Sequence, residues 1–243
     1  MGCDLTMPDR SNESYRTRRE ILDAYYSEVY QKYLFERDLQ GMGIRYFERA
    51  VEKFWKIKAP NRVLEIGGGS GEHLPYVSYE PKISYTLLDL RRPTNKHSYN
   101  ISSALLKKVS YLTGDAQNIP FVDNHFDRVL STCLLHHVDD VLTVLQEVRR
   151  VTSKGGEIAF LMPTDPGIFN RFIKKAVSYP KLSKISSIKP ELYYALDHKN
   201  HIASILEQVK YVFQNDIVEF HYRPFYFKSW NLNLLVVAAI TRT

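Results

Sequence analysis

The spacing of hydrophobic residues along the 243-residue chain changes near residue 60. Before that point it is helical. Ile21, Leu22, Tyr25, Tyr26, Val29 and Tyr33 recur at helical intervals, and Gly41 and Gly43 then interrupt the pattern. A second helical face carries Ile44, Phe47, Val51, Phe54 and Trp55. Lys53, Lys56 and Lys58 lie near its C-terminal end, where the helix dipole favours cations, and Pro60 closes it.

After Pro60, short apolar runs alternate with helical stretches, the signature of strand-helix-strand units and a parallel sheet. The runs predict strands at Arg62–Ile66, Ser84–Asp89, Val109–Leu112, Asp127–Ser131 and Glu157–Leu161. Between the last two lies a helix with Leu142, Leu145, Val148 and Val151 as its buried stripe. Asp139 or Asp140 can cap its start, and Gly155 suits a left-handed exit. Pro163 to Asn200 lacks a sheet-like rhythm and reads as an insertion over the sheet's edge. His201–Tyr211 then reads as a helix, and Ile217–Tyr222 and Asn231–Ile240 as strands whose short connection implies an antiparallel pair.

The densest chemistry is in Val63-Leu64-Glu65-Ile66-Gly67-Gly68-Gly69-Ser70-Gly71, a strand running into a glycine loop. Without β-carbons the backbone can turn sharply and approach a ligand, with free N–H groups at the next helix start facing it. Glu72 stands where the dinucleotide fingerprint wants a small residue, and no Gly-Lys-Ser/Thr follows, so neither a pyrophosphate site nor a P-loop fits. Glu65 would repel a pyrophosphate but could hold an ammonium group. Asp89, at the second strand tip, can accept from a ribose diol, and Asp115, after the third, from an adenine amino group. Three acids at successive strand tips around a glycine loop describe a ligand with an amine, a ribose and an adenine.

This ordered set resembles the class I S-adenosylmethionine-dependent methyltransferases, in particular the type 11 small-molecule group. The resemblance runs from Arg62 to Leu161. It includes Gly114-Asp115-Ala116 through Pro120-Phe121, Phe126-Asp127-Arg128-Val129-Leu130, Leu135-His136-His137-Val138-Asp139-Asp140, and Glu147 through Val151 with Gly155-Gly156. It implies a Rossmann-like doubly wound α/β sheet of seven strands, mostly parallel with an antiparallel last strand. It also implies S-adenosyl-L-methionine as cofactor. Glu65, Gly67, Gly68, Gly69 and Gly71 would take its methionine end together with Thr132, Asp89 and Leu90 the ribose, and Asp115 with Ala116 the adenine. The chain departs from the family at Val151-Thr152-Ser153-Lys154, which lacks the usual proline, and in the long stretch from Arg91 to Lys108.

Methyl transfer to a hydroxyl needs a base, and His137 and His136, beyond the fourth strand's tip, are the candidates carried by that resemblance. His73, Asp165 and the Asp197-His198-Lys199-Asn200-His201 run are others. No spacing builds a metal site. Asn-Pro-Pro-Tyr, used by many enzymes that methylate amino groups, is missing after the fourth strand. Cys133 lacks the proline of pyrimidine C5 enzymes and reads as a buried thiol. Weaker likeness to bacterial surface-polysaccharide methyltransferases, at Met162 through Gly167 and Ala195 through His201, points to a sugar or nucleotide-linked sugar hydroxyl. An RNA methyltransferase and a catalytically silent cofactor-binding subunit are the alternatives.

Composition narrows the setting. Hydrophobic residues at 44% and charged residues at 25% fit one globular domain. We read it as a helical lid over 1–58, a cofactor core over 59–162, a substrate-lid insertion over 163–200 and a closing helix with hairpin over 201–243. The longest apolar run, Leu234 to Ile240, is well short of the roughly 18 residues that span a bilayer. Two cysteines suit a reducing, cytoplasmic setting. The net charge is +6, and Pro166 to Pro190 alone holds Arg171, Lys174, Lys175, Lys181, Lys184 and Lys189 with no acid, which suggests an anionic acceptor. No DNA partner is expected, and RNA ranks behind a small molecule because the basic stretch lacks a recognisable RNA-reading module. The opening Met1-Gly2-Cys3-Asp4-Leu5-Thr6 satisfies the loose N-myristoylation pattern, with a palmitoylatable cysteine beside the glycine.

Overall fold

Along a strand, successive side chains point to opposite faces, so a strand buried on both sides is apolar throughout. The computed structural model describes residues 17–26, 39–91, 101–186 and 188–243. Its strands are β1 (Arg62–Ile66), β2 (Ser84–Asp89), β3 (Val109–Thr113), β4 (Phe126–Thr132), β5 (Thr152–Pro163), β6 (Ile217–Arg223) and β7 (Leu235–Thr241). The helices are α1 (Arg18–Ala24), α2 (Leu39–Val51), α3 (Ser103–Leu106), α4 (Val141–Val151), α5 (Ile168–Ile173), α6 (Tyr179–Ile185), α7 (Pro190–Asp197) and α8 (Ile202–Val212).

The strands form one sheet in the order β3-β2-β1-β4-β5-β7-β6. β3 through β5 pair in parallel, and β7 runs antiparallel between β5 and β6. This is the Rossmann-like doubly wound sheet with an antiparallel last strand that the sequence implies. Leu64, Ile66, Leu88, Val129, Ile158, Phe160, Val236 and Ala238 turn to one face, under Val144, Leu145 and Val148 of α4 and Ile205 and Val209 of α8. Val63, Tyr85, Leu87, Leu130, Ala159, Leu161 and Val237 turn to the other, under Val51 and Trp55. Each fully buried aliphatic side chain is worth roughly 1.5–3 kcal/mol. The five buried residues of α4 therefore outweigh its N-cap, where Asp140 accepts from the Thr143 N–H at 3.1 Å for about 1 kcal/mol.

Three expectations fail locally. Gly41 and Gly43 lie inside α2 and do not interrupt it. A helical glycine costs about 1 kcal/mol, which burial of Ala50 and Val51 on the same helix offsets. No α-helix follows the glycine loop. Between Gly71 and Ser84, Pro75 and Pro81 leave room for only one 3-10 turn, Leu74–Tyr76. Gly155, at φ +75°, does not cap α4, which ends at Val151; it sits in a bulge of β5 where the register with β4 shifts. The stretch over 163–200 carries no strand beyond Pro163, the last residue of β5. It forms α5 to α7, and its last residues reach the carboxyl end of β4, where the Asn200 N–H donates to the His136 carbonyl at 3.2 Å. The Met-Gly-Cys motif, Val29, Tyr33 and residues 92–100 of the stretch from Arg91 to Lys108 fall outside the described residues.

Candidate active site

The glycine loop is built as a bare-backbone cradle. Gly67, Gly69 and Gly71 have φ of +68°, +49° and +86°, a region closed to most side chains. Gly68 is constrained by space, since a β-carbon there would lie 2.4 Å from Leu87 Cδ2. The Gly67 N–H donates to the Leu88 carbonyl at 2.8 Å, which folds the loop over the end of β2.

The three strand-tip acids take different roles locally. Asp89 Oδ2 accepts from the Gly69 N–H at 3.0 Å and Oδ1 from the Arg91 N–H at 3.0 Å, so the carboxylate braces the loop. Beside it Leu90 is 68% exposed. Asp115 is exposed and closes a turn by accepting from the Gln117 N–H at 2.9 Å, with Ala116 next to it. Glu65 is no open tip. It is buried, accepts from the Tyr85 hydroxyl at 2.8 Å, and burial pushes its carboxyl up to about 8. Glu72 accepts from the Ser70 N–H at 2.8 Å, and burial raises it to about 7.

At the carboxyl end of β4, past half-buried Thr132, the chain turns through Cys133 with φ of +56°. Burial pushes the Cys133 thiol up, in keeping with an unreactive thiol. The turn brings His136 and His137 against His198 of the insertion, with ring centroids 3.8 to 5.1 Å apart. Asn200 fixes it, donating from Nδ2 to the Leu135 and Val138 carbonyls at 3.1 and 2.8 Å.

The three histidines differ. His136 is buried, its Nδ1 has no partner, and burial, then the neighbouring histidines and Lys174, holds it well below the ordinary imidazole value. His137 is partly open and sits 3.0 Å through Nδ1 from Asp197 Oδ2. Asp197 also accepts from the Tyr26 hydroxyl at 3.0 Å and the Tyr193 hydroxyl at 2.5 Å. His198 pairs through Nδ1 with Asp165 Oδ2 at 2.6 Å, and burial lowers it to about 4. One ring nitrogen of each histidine lies within 4.8 Å of the others, near the spacing of a metal cluster. The Lys174 ammonium, however, shares Asp165 with His198 and already supplies a cation there.

Other candidates separate from this centre. His73 is fully buried between Glu48 at 2.7 Å and Glu52 at 2.9 Å. Burial would lower it, but both carboxylates outweigh that and raise it well above the ordinary value, so it is a structural imidazolium. Lys199 pairs with Asp139, and His201 is exposed at the start of α8. Lys174 leaves the basic surface, being nearly buried on Asp165 and over the Tyr194 ring. Sequence reasoning missed Glu48 and the Tyr26 and Tyr193 hydroxyls. Tyr26 reads as part of a helical face, and Glu48 and Tyr193 carry no signal of their own; only the fold brings the three to a charge.

A doubly wound sheet with this glycine loop at the carboxyl ends of its first strands defines a class I S-adenosylmethionine-dependent methyltransferase. The chain matches, over residues 64–160, a family model described as a methyltransferase domain, type 11. It is 29% identical to a demethylmenaquinone methyltransferase of Thermotoga maritima over 157 residues, 63% of this chain and 66% of that one. It is 24% identical to the ubiquinone/menaquinone biosynthesis C-methyltransferase UbiE of Coxiella burnetii over 177 residues, 69% of this chain and 71% of that one. The crystal structure of an S-adenosylmethionine-dependent methyltransferase from Mesorhizobium loti shares the fold with a TM-score of 0.54 at 15% identity, covering 79% of this chain and 96% of that one. Among the described residues no helix is long and apolar enough to cross a membrane.

Proposed function

We propose that this methyltransferase acts on a hydroxyl of a small-molecule acceptor, a sugar or nucleotide-linked sugar, and that His137 takes the proton. The observation that carries this reading is the His137 Nδ1 to Asp197 pair, 3.0 Å apart, at the tip of β4. A carboxylate on Nδ1 fixes the tautomer and leaves Nε2 to accept a proton. His136, buried and held neutral, supports the turn and is not itself the base.

S-adenosylmethionine supplies an activated methyl for in-line displacement. Bare backbone at Gly67 through Gly71, a 68% exposed Leu90 and carboxylates at Asp89 and Asp115 suit such a molecule. In this reading the glycines and Thr132 hold the methionine end, Asp89 and Leu90 the ribose, and Asp115 with Ala116 the adenine, while Glu65, expected to hold the ammonium group, is instead buried against the Tyr85 hydroxyl. Tyr25 stacks on Tyr193 at 3.5 Å beside this centre, and the aromatic lid they form would exclude water from the reacting groups. An anionic group on the acceptor belongs to the same proposal. Exposed Lys184 and Lys189 could meet it, whereas Lys174 is already committed to Asp165.

A second reading follows from the relatives named as quinone methyltransferases. A hydroquinone also presents an acidic O–H, and its removal makes a ring carbon nucleophilic, so the same base would serve.

Radiolabelled cofactor offered with nucleotide sugars, a demethylated naphthoquinol and tRNA separates these readings. Label on a sugar supports the first and label in the quinol the second, while label in tRNA overturns both. Cofactor binding with no transfer to any acceptor would identify a silent subunit. His137→Gln should lower kcat by about 10² to 10⁴ with cofactor affinity kept; an unchanged kcat would remove His137 as the base.

A further inference from the structure

Outside the histidine centre, one surface carries large apolar side chains that the methyltransferase reaction leaves unexplained. Ile168 and Phe172 of α5, Phe225, Tyr226 and Phe227 of the β6–β7 connection, and Leu232 are each 47 to 68% exposed. They belong to adjoining segments. Phe169 and Phe225 have ring centroids 5.4 Å apart, and a β-carbon at Gly167, where α5 begins, would stand 2.8 Å from the Trp230 carbonyl oxygen. Soluble proteins rarely leave so many large apolar groups together in water without a partner.

The aromatic connection is held in shape from within. Asn233 is fully buried. Its Oδ1 accepts from the Phe225 N–H at 2.9 Å, and its Nδ2 donates to the Phe227 and Ser229 carbonyls at 3.0 and 2.8 Å. Phe225 and Phe227 stack with centroids 5.8 Å apart and planes 10° apart. Their exposure therefore belongs to a fixed loop.

Charge narrows the partner. Arg171, Lys175 and Lys228, all exposed, are interspersed with these side chains. From Pro166 to Pro190 and from Phe220 to Leu234 the sequence has no acidic residue. Aromatic and aliphatic groups interleaved with cations, free of carboxylates, match an anionic lipid surface, where apolar groups enter the headgroup boundary and cations meet phosphates.

We propose that α5 and the β6–β7 loop dock this protein on anionic phospholipid bilayers. α5 directly follows Asp165, which pairs with His198 in the histidine centre, so docking would bring the acceptor site to the lipid boundary. An acceptor drawn from the lipid layer, such as a quinol or a lipid-linked sugar, would then enter from that side. This last step rests on the function proposed above; the docking itself does not.

The test is cosedimentation of the full chain with vesicles of phosphatidylcholine, with and without phosphatidylglycerol, while calorimetry follows cofactor binding. Binding to the anionic vesicles alone, weakened by salt, is expected. Phe172→Ser with Phe227→Ser should weaken it about tenfold or more, and Lys175→Glu or Lys228→Glu about fivefold each, with cofactor affinity unchanged. Asn233→Ala tests the loop as a positioning device and should weaken vesicle binding with the aromatics still present. No sedimentation, or equal sedimentation of all variants, overturns docking while intact cofactor binding leaves the methyltransferase reading standing. Light scattering that shows a dimer in the parent protein and a monomer in the phenylalanine variant would make the face a self-association surface and also overturn it. Vesicle binding without label transfer to any acceptor would overturn the functional reading alone.

Discussion

Replacing Asp197 by Asn tests whether one carboxylate ties Tyr26 and Tyr193 to His137, the base proposed above. Asp197 is 4% exposed and receives three donors: the Tyr26 and Tyr193 hydroxyls and His137 Nδ1. Hydrogen bonds to a charged group are worth about 1.5–3 kcal/mol each. Asn keeps one acceptor oxygen but turns an NH₂ donor toward the remaining donors, so at least one contact becomes a donor-donor clash. We expect about 3 kcal/mol of lost stability in urea unfolding with the m-value unchanged. The acid limb should change as well. Burial alone would raise Asp197, but hydrogen bonding and charge from His137 and the Tyr193 hydroxyl outweigh it and leave the carboxyl below its ordinary value. A carboxyl lowered on folding stabilises the protein fully above its unfolded value of about 3.9, and that stability fades as pH falls through the folded value. The Asn variant should lose this part of the acid slope. Its kcat should fall with KM little changed, because Nε2 of His137 loses its fixed tautomer. Tyr26→Phe, which removes one donor only, should cost about 1.5 kcal/mol and spare kcat. A stability change below about 0.5 kcal/mol with unchanged kcat would refute Asp197 as the tie.

Other sites give simpler outcomes. Gly68→Ala should weaken cofactor binding at least tenfold by calorimetry, because its methyl would stand 2.4 Å from buried Leu87 Cδ2; parent-like affinity would mean that the loop yields freely. Burial raises Glu65 to about 8, so the folded state holds that proton more tightly than the unfolded chain. Its contribution to stability is therefore greatest below about 4.3 and declines as pH climbs toward 8, so Glu65→Gln should gain stability over the parent across that window in thermal melts. Equal melting curves at every pH would refute this. Asp140→Ala should destabilise by about 1 kcal/mol in urea, through loss of the α4 cap at Thr143.

The sequence pattern carried the sheet well, because alternation and apolar runs are local and a doubly buried strand has few other ways to satisfy them. β1 and β2 fall where the apolar runs begin and end. The misses fell where a local rule met a tertiary contact. Gly41 and Gly43 break helices in isolation, but α2 is held by Val51 in the core and by Glu48 on His73. Gly155 carries the conformation expected of a helix exit but uses it for a bulge. The site was legible as residue types at strand tips, whereas its electrostatics were not. Asp197 and His198 lie about sixty residues from His136 and His137, and a charge paired across that distance leaves no periodic trace. Lys174 illustrates the cost: counted as a surface cation, it is spent on Asp165.

β7 follows β6 in the chain yet occupies the place between β6 and β5. As the polypeptide is made, β1 through β5 can zip together in turn, but β6 has no neighbour to join until the residues after it arrive. For that interval its Phe220 and Tyr222 have no strand to pair with, and the open flank of β5 is free to capture a strand from another molecule. A released chain truncated after Arg223 should therefore aggregate more readily than the full chain.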